Sequence, residues 1–259
     1  MVLYKLRELG NEFQLSFCVE KMYKKQRDYE NTNRILFNGI GKYDIPCIRA
    51  QEFEQCEMIG FNEALTCAHP EDKCVHFYLD DYQFIRIWNN IDRYIPVLQR
   101  FKYVCAPDFS LYTDFPVAIQ IYNHYRKHWI AAYMIEHGIK VIPTICWSDT
   151  RSFEWCFDGE PIDSCVTVSS IGTQSNSQSK QMFADGYNTM MKRLRPSKVI
   201  FYGNVPNDCA GNIVHIHSFQ EKMEQGGGST MVIQMNLQYF GGRGGSSGIG
   251  GWRNRQLTG

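Results

Sequence analysis

The stretch VHFYLDD, residues 75–81, decides the fold class, because a short run of strand character ends directly in two carboxylates. The same arrangement recurs in YVCAPDFS, residues 103–110, and in KVIPTICWSD, residues 140–149. Helical patterns separate these runs, and strand–helix–strand spacing predicts parallel strands joined by right-handed crossovers. Acidic side chains that follow successive parallel strands gather at one rim of the sheet, where α/β proteins keep their sites.

The remaining pattern predicts a mostly parallel α/β fold. Strands are predicted at Asp44–Ile48, Met58–Phe61, Val75–Leu79, Tyr103–Ala106, Val141–Trp147, Ser164–Ser169, Lys198–Tyr202 and Asn212–His215. Helices are predicted at Tyr82–Gln99, Phe115–His137, Ser152–Cys156 and Lys180–Leu194. Eight strands favour an irregular (β/α) TIM-like barrel. The connections near the first two strands and the last are too short for full helices, so a doubly wound, mostly parallel open sheet is the alternative.

The chain divides into three regions by composition. Residues 1–34 predict a peripheral, locally basic surface helix, and residues 35–224 predict one α/β domain. Residues 225–259 begin with a flexible GGGST spacer and end in a glycine-rich stretch with three arginines and no acid. That stretch cannot bury enough apolar surface to order itself, so we interpret it as a tail.

Charge and hydropathy exclude several classes of protein. The 259 residues include 27 Lys and Arg and 27 Asp and Glu, so net charge gives no indication of nucleic acid as a partner. No run reaches the roughly 18 apolar residues of a membrane span, and the N-terminus lacks a signal-peptide core. We therefore expect a cytoplasmic protein with no membrane partner. The ten cysteines are expected to be reduced.

Three aspartates are the candidate catalytic residues: Asp80, Asp108 and Asp149. Carboxylates on neighbouring strand ends suit a hard divalent cation that activates water, so a divalent metal held by the same three residues is one interpretation. The other is that Asp80, or Asp81 beside it, caps the helix that follows, and that Asp149 caps the helix after it.

Four further residues are candidates for substrate binding: Arg126, Trp147, Ser170 and Asn204. An arginine among aromatic residues clamps an anion or serves as a structural strut, and we expect Arg126 to face an acid at the rim. Trp147 stacks on a ligand or closes the core. Ser170 lies in a strand-to-loop turn whose backbone N–H groups suit a phosphate.

A zinc site is a weaker interpretation of the cysteine pattern. Cys67, His69 and Cys74, with Cys47 or Cys56 upstream, give the spacing C-x-H-x₄-C. This spacing lacks the C-x₂-C knuckle that is typical of structural zinc sites.

Longer motifs carry a family resemblance over roughly residues 43–216. They are HFYLDDYQFIRIWNN, CAPDFSLYTDFP, IYNHYRKHWIAAY, GIKVIPTICWSD, SFEWCFDG and VTVSSIG, in this order. In these motifs the chain resembles a domain-of-unknown-function family that is frequent in phages and prophages of Firmicutes. That family has no established activity, so the resemblance implies a context and no mechanism.

The tail has a resemblance of its own. MNLQYFGGRGGSSG, residues 235–248, is similar to a segment at the ends of several phage head-morphogenesis proteins. This resemblance implies phage head proteins as partners of the tail, and a location in the bacterial host cytoplasm or in association with the virion.

Three functions remain open at this point. The first is a hydrolase-like enzyme with an acidic, metal-dependent site at the rim. The second is a non-catalytic phage assembly or accessory protein, and the third is a nucleic-acid-processing factor, which the neutral charge disfavours.

Overall fold

The computed structural model describes residues 30–218 together with residues 221 and 223. The expected peripheral helix, apart from residues 30–34, and the glycine-rich tail from residue 225 lie outside the described residues. Within the described range, strands alternate with helices, which gives a mixed α/β fold with parallel sheets.

The described elements are short strands and four α-helices. The strands are β1 (Gly39–Ile40), β2 (Ile45–Pro46), β3 (Glu57–Gly60), β4 (Lys73–His76), β5 (Tyr103–Cys105), β6 (Val141–Ile142), β7 (Cys165–Ser169), β8 (Lys198–Tyr202) and β9 (Ile213–Ile216). The α-helices are α1 (Asp81–Asn89), α2 (Ile91–Leu98), α3 (Val117–Glu136) and α4 (Ser177–Leu194). Short 3₁₀ helices lie at Phe61–Glu63, Pro70–Asp72 and Thr150–Glu154.

The parallel orientation predicted from the crossovers is confirmed. Strands β3, β4, β5 and β6 form one parallel sheet, and β7, β8 and β9 form another, while β1 and β2 pair antiparallel. The two parallel sheets meet at a parallel bridge between Thr144 and Thr167, where the N–H of Ile145 donates to the carbonyl of Thr167 at 2.9 Å. Pro143 has no N–H to continue the β6 ladder, which explains why the expected single sheet divides there.

Three groups of buried apolar side chains hold the layers together. In the first, helices α1, α2 and α3 cover one face of β4, β5 and β6, and in the second, α4 covers β7 and β8. The third lies among the strands and draws side chains from each of β3 to β8. Its strand members are Met58, Cys74, Tyr103, Cys105, Ile142, Cys165 and Ile200.

The helix bounds differ from the sequence prediction: α3 is shorter than the predicted Phe115–His137, and the short helix predicted at Ser152–Cys156 is the 3₁₀ helix Thr150–Glu154. Two further differences have a clear physical cause. The expected helix over residues 82–99 is two helices, because Asn90 leaves the helical region at φ −151° and ψ 65°. Helix α4 begins three residues earlier than predicted because Asn176 forms a capping box with Ser179, accepting from its N–H at 2.8 Å. Gly138, expected to follow α3, adopts φ +77°, as a residue after a helix C-terminus commonly does.

Replacing Gly186 of α4 with alanine should destabilise the protein. An added Cβ would lie 2.1 Å from Nε1 and 2.2 Å from Cε2 of the Trp147 indole. Alanine gains about 1 kcal/mol in helix propensity over glycine, but overpacking a core costs about 1–3 kcal/mol. We expect a net loss of up to about 2 kcal/mol in the free energy of unfolding, measured by urea denaturation. The smaller ring in a Trp147→Phe background should reduce this loss, and a more stable Gly186→Ala protein would contradict the packing.

Candidate functional site

Asp108 lies at the carboxyl end of β5, and its side chain is buried, with 8% of the residue exposed. Burial raises the pKa of this carboxyl from an ordinary value near 3.8 to about 7. The charge of Lys127 and a hydrogen bond from the Cys146 thiol act in the opposite direction, and the charge of Asp81 adds to the increase. The group therefore holds a proton that it can exchange near neutral pH.

A second acid, Asp81, lies beside Asp108 as the first residue of α1. Its carboxylate accepts hydrogen bonds from the Ser110 N–H at 3.2 Å and from the Ser110 hydroxyl at 2.8 Å. Burial raises the pKa of Asp81, although these bonds and the charge of Arg126 act against the increase. A pair of acids thus lies where the ends of β4 and β5 meet.

Arg126 of α3 faces this acidic pair from the helical layer. Its guanidinium group lies 4.1 Å from the ring centre of Phe109 and donates to the Asn123 side chain, which in turn donates to the carbonyl of Ser110 at 2.7 Å. Burial lowers the pKa of Arg126, and the charge of Asp81 opposes this effect. Arg126 is therefore half-buried within electrostatic reach of Asp81, while its Nε has no hydrogen-bond partner in the described part of the chain.

Tyr78 connects the surroundings of Asp108 to a further strand. The Tyr78 hydroxyl lies 2.7 Å from Oγ1 of Thr167 in the middle of β7, and burial raises the tyrosine pKa, with the charges of Asp108 and Cys146 adding to the effect. Residues that follow β4 and β6 therefore lie near Asp108 at the end of β5. We call Tyr78, Asp81, Asp108, Lys127 and Cys146 the rim cluster.

Asp149 has the local geometry of a helix cap. Its carboxylate accepts from the N–H of Arg151 at 3.0 Å and forms an ion pair with the Arg151 guanidinium at 2.6 Å. Asp80 occupies the N-cap position of α1 without a side-chain capping bond. The carboxylates of Asp80, Asp108 and Asp149 do not form a metal-binding group among the residues that the structure describes. Their shared catalytic role stays a prediction.

Two substitutions of Asp149 separate its cap from a catalytic role. Asp149→Ala should lower the free energy of unfolding by about 1 kcal/mol, because the N–H of Arg151 loses its acceptor. Asn is as good a cap as Asp, so Asp149→Asn should change stability by only a few tenths of a kcal/mol. Thermal or urea denaturation measures both. Equal losses in the two variants would show that the charge of Asp149, and not its capping hydrogen bond, stabilises the folded protein.

The other predicted binding residues have local packing roles. Trp147 is 3% exposed and packs against Phe183, as expected for a residue that closes the core. The Ser170 hydroxyl donates to the carbonyl of Asn204 at 2.6 Å, and the Thr173 hydroxyl donates to the carbonyl of Ser170. Asn204 itself is exposed. None of these contacts tests substrate binding.

The cysteines of the weaker zinc pattern are not gathered. Cys74 is buried with its Sγ 3.6 Å from Sγ of Cys105, whereas His69 is exposed beside Glu71. No group of metal-ligating side chains among the described residues includes Cys67, His69 or Cys74.

A buried ionic cluster that the sequence pattern did not predict shares Lys127 with the rim cluster. The Lys127 ammonium donates to Oε1 of Glu160 at 2.6 Å and to the carbonyl of Thr144 at 2.9 Å. His128 and His124, on the same face of α3, lie with Glu160, and all three side chains are buried. The signal in the sequence was a polar stripe at helical spacing, Asn123, His124, Lys127 and His128, directly before the apolar run WIAAY.

The comparisons with known proteins place the chain in a family. The model of the domain-of-unknown-function family DUF4417 matches residues 37–220. The chain belongs to this family. The Gene 1 protein of Mycobacterium phage L5 is 34% identical over 174 residues, which covers 66% of this chain and 76% of that protein. The Gene 1 protein of Mycobacterium phage D29 is 33% identical over 174 residues, covering 66% of this chain and 64% of that protein.

Membership in DUF4417 confirms the expected family of unknown function, and both relatives are phage proteins. Neither the family description nor the relatives' names assign an activity. No solved structure matches the chain. Helices among the described residues of this DUF4417 protein are too short or too polar to cross a membrane.

Proposed function

We propose that this protein is a hydrolase-like enzyme that uses Asp108 as a general acid and base at the carboxyl ends of its parallel strands. The observation that carries the proposal is the buried Asp108 carboxyl, whose pKa is raised to about 7. A proton donor and acceptor is most effective when its pKa lies near the working pH. A carboxyl perturbed by burial and by specific charged neighbours is typical of a functional site.

The residues around Asp108 have different roles in the proposed function. Lys127 and Arg126 supply positive charge on the α3 side, which suits a substrate or transition state that carries negative charge. Burial raises the pKa of Cys146, so its thiol stays protonated and donates to Asp108 rather than acting as a thiolate nucleophile.

We also propose that the parallel strands curve into an irregular barrel around the third core group. In a flat sheet β4 and β8 would lie four strand spacings apart, about 19 Å. The rings of His76 and Tyr202, at the ends of these two strands, have centroids 4.7 Å apart. The rings of Tyr78 and Tyr202 are 4.8 Å apart. Such contacts require strong curvature, which would place Asp108 at the mouth of the barrel.

A non-catalytic assembly role is the second candidate, and the cap geometry of Asp149 favours it. One of the three expected catalytic acids already has a structural use, the capping of residues 150–154. In this alternative the tail from residue 225 is the contact with phage head proteins, and the protein is associated with the virion.

Matched asparagine variants test the enzyme directly. Wild-type protein, Asp108→Asn and Asp149→Asn are assayed on activated phosphate monoesters, phosphate diesters, glycosides and carboxyl esters, with and without Mg²⁺, Mn²⁺ or Zn²⁺. We expect one substrate class to be hydrolysed, a loss of about 10²-fold or more in Asp108→Asn, and little loss in Asp149→Asn. If Asp108→Asn hydrolysed the substrate as fast as the wild type, the role of Asp108 would be overturned. No turnover of any class would favour the assembly role.

A further inference from the structure

We propose that His124, His128 and Glu160 form a binding site for one divalent transition-metal ion, next to the rim cluster and joined to it through Lys127. The ligand atoms of the three side chains all lie within 4.8 Å of one another, and all three side chains are buried. This site goes beyond the proposed acid–base function, because none of its ligand atoms belongs to Asp108.

The hydrogen bonds of the two histidines fix which ring nitrogens carry lone pairs. His124 Nε2 lies 3.1 Å from the carbonyl oxygen of Asp158, and His128 Nδ1 lies 2.8 Å from that of Pro46. A carbonyl oxygen only accepts, so both of these nitrogens carry hydrogen. In the neutral rings the lone pairs are then on Nδ1 of His124 and Nε2 of His128. Backbone carbonyls orient metal-ligating histidines in this way.

Two atoms of the site have no hydrogen-bond partner among the residues that the structure describes. They are Nδ1 of His124 and Oε2 of Glu160, both buried. Buried polar atoms are nearly always paired, so two unpaired acceptors in one buried group indicate a missing cation or donor. Nε2 of His128 lies 3.0 Å from Oε1 of Glu160. If both are acceptors, this approach also requires a shared positive charge.

Lys127 forms a hydrogen bond with one carboxylate oxygen of Glu160, which leaves the other oxygen free for the metal. Its ammonium donates to Oε1 at 2.6 Å, and Oε2 remains. Two imidazole nitrogens and one carboxylate oxygen are a donor set for zinc or ferrous iron rather than for magnesium or calcium, which prefer oxygen ligands alone.

The competing explanation is that a proton or a buried water molecule occupies the group. A second proton on His128 would make an imidazolium that pairs with Glu160, and a water molecule would satisfy the two unpaired atoms. Neither alternative involves a bound metal ion, so the measured metal content of the protein distinguishes both of them from the proposal.

The test compares the full-length wild-type protein with His124→Gln and His217→Gln. Glutamine keeps an N–H where His124 donates to Asp158 but lacks the Nδ1 lone pair, so it removes the ligand and keeps the hydrogen bond. His217 belongs to the exposed group of His215, His217 and Glu221, which controls for binding there. Each protein is stripped with a chelator, titrated with Zn²⁺ and with Co²⁺, and measured by elemental analysis, by visible absorption of Co²⁺ and by melting temperature.

We expect one equivalent of metal in the wild type and in His217→Gln, with a rise in melting temperature, and less than about a fifth of an equivalent in His124→Gln. A wild-type protein that binds neither ion would overturn the proposal whether or not the variant folds. Undiminished binding by folded His124→Gln, or loss of binding in His217→Gln alone, would overturn it too. If His124→Gln fails to fold, His217→Gln decides: one equivalent of metal retained in that variant supports the buried site, and its loss overturns the proposal.

Discussion

Lys127→Met should lower the free energy of unfolding by about 3–5 kcal/mol, because it leaves a buried carboxylate without its cation. The Lys127 and Glu160 side chains are 1% and 0% exposed, and they are joined at 2.6 Å. Methionine fills much of the same volume, so the loss reports the charge and not a cavity. Urea denaturation with a chelator present measures it, since a bound cation would otherwise compensate Glu160.

Two controls make this result specific. The double variant Lys127→Met with Glu160→Gln removes both charges, so it should recover part of the lost stability. Arg49→Met breaks an exposed pair with Glu136, whose side chains are 73% and 48% exposed, and should cost less than about 1 kcal/mol. A loss in Lys127→Met no larger than that of Arg49→Met would show that Glu160 is not ionised in the folded protein.

Asp108→Asn should become more stabilising as the pH rises. In the folded protein Asp108 keeps its proton up to about pH 7, whereas in the unfolded chain it loses the proton near its ordinary value of 3.8. Between these values unfolding releases a proton, so a rise in pH favours unfolding of the wild type by about 1.4 kcal/mol for each pH unit. Asparagine has no such proton.

The measurement is the difference in free energy of unfolding between Asp108→Asn and wild type across the pH range. From about pH 4.5 to pH 8 we expect it to change by roughly 3 kcal/mol in favour of the variant. The charged neighbours that face Asp108, Lys127, Asp81, Cys146 and Tyr78, are present in both proteins, so their own titration largely cancels. A flat difference for Asp108→Asn would show that its carboxyl is not perturbed.

The sequence predicted the strands of the two parallel sheets because buried parallel strands leave a local signal. It did not predict β1 or the antiparallel pairing that takes β2 out of the parallel sheets. Lys198–Tyr202 was predicted with its observed bounds, and the strand at Tyr103 differs by one residue at its end. The division of the sheet at Pro143 and the break at Asn90 depend on single backbone groups, which periodicity does not resolve. The proposed strand curvature could not be predicted from the sequence either, because it depends on contacts between residues far apart in the chain, such as His76 and Tyr202.

The sequence predicted Asp108 and the nearby Arg126 as candidate site residues and missed the buried charges of Lys127 and Glu160. Asp108 was expected because it follows a strand, and the structure gives it a buried, perturbed carboxyl. Asp149 follows a strand equally well, but an Arg151 two residues later engages it as a cap, a tertiary detail that strand position does not show. Lys127 and Glu160 are 33 residues apart along the chain, so only the fold brings them together.

The pKa of Asp108, measured directly, tests the central claim that a carboxyl able to exchange its proton near neutral pH lies at the ends of the parallel strands. The protein is labelled with ¹³C at aspartate carboxyl carbons, the Asp108 signal is assigned by its absence in Asp108→Asn, and its chemical shift is followed against pH. We expect a midpoint at about pH 7. A midpoint near the ordinary value of 3.8 would contradict it.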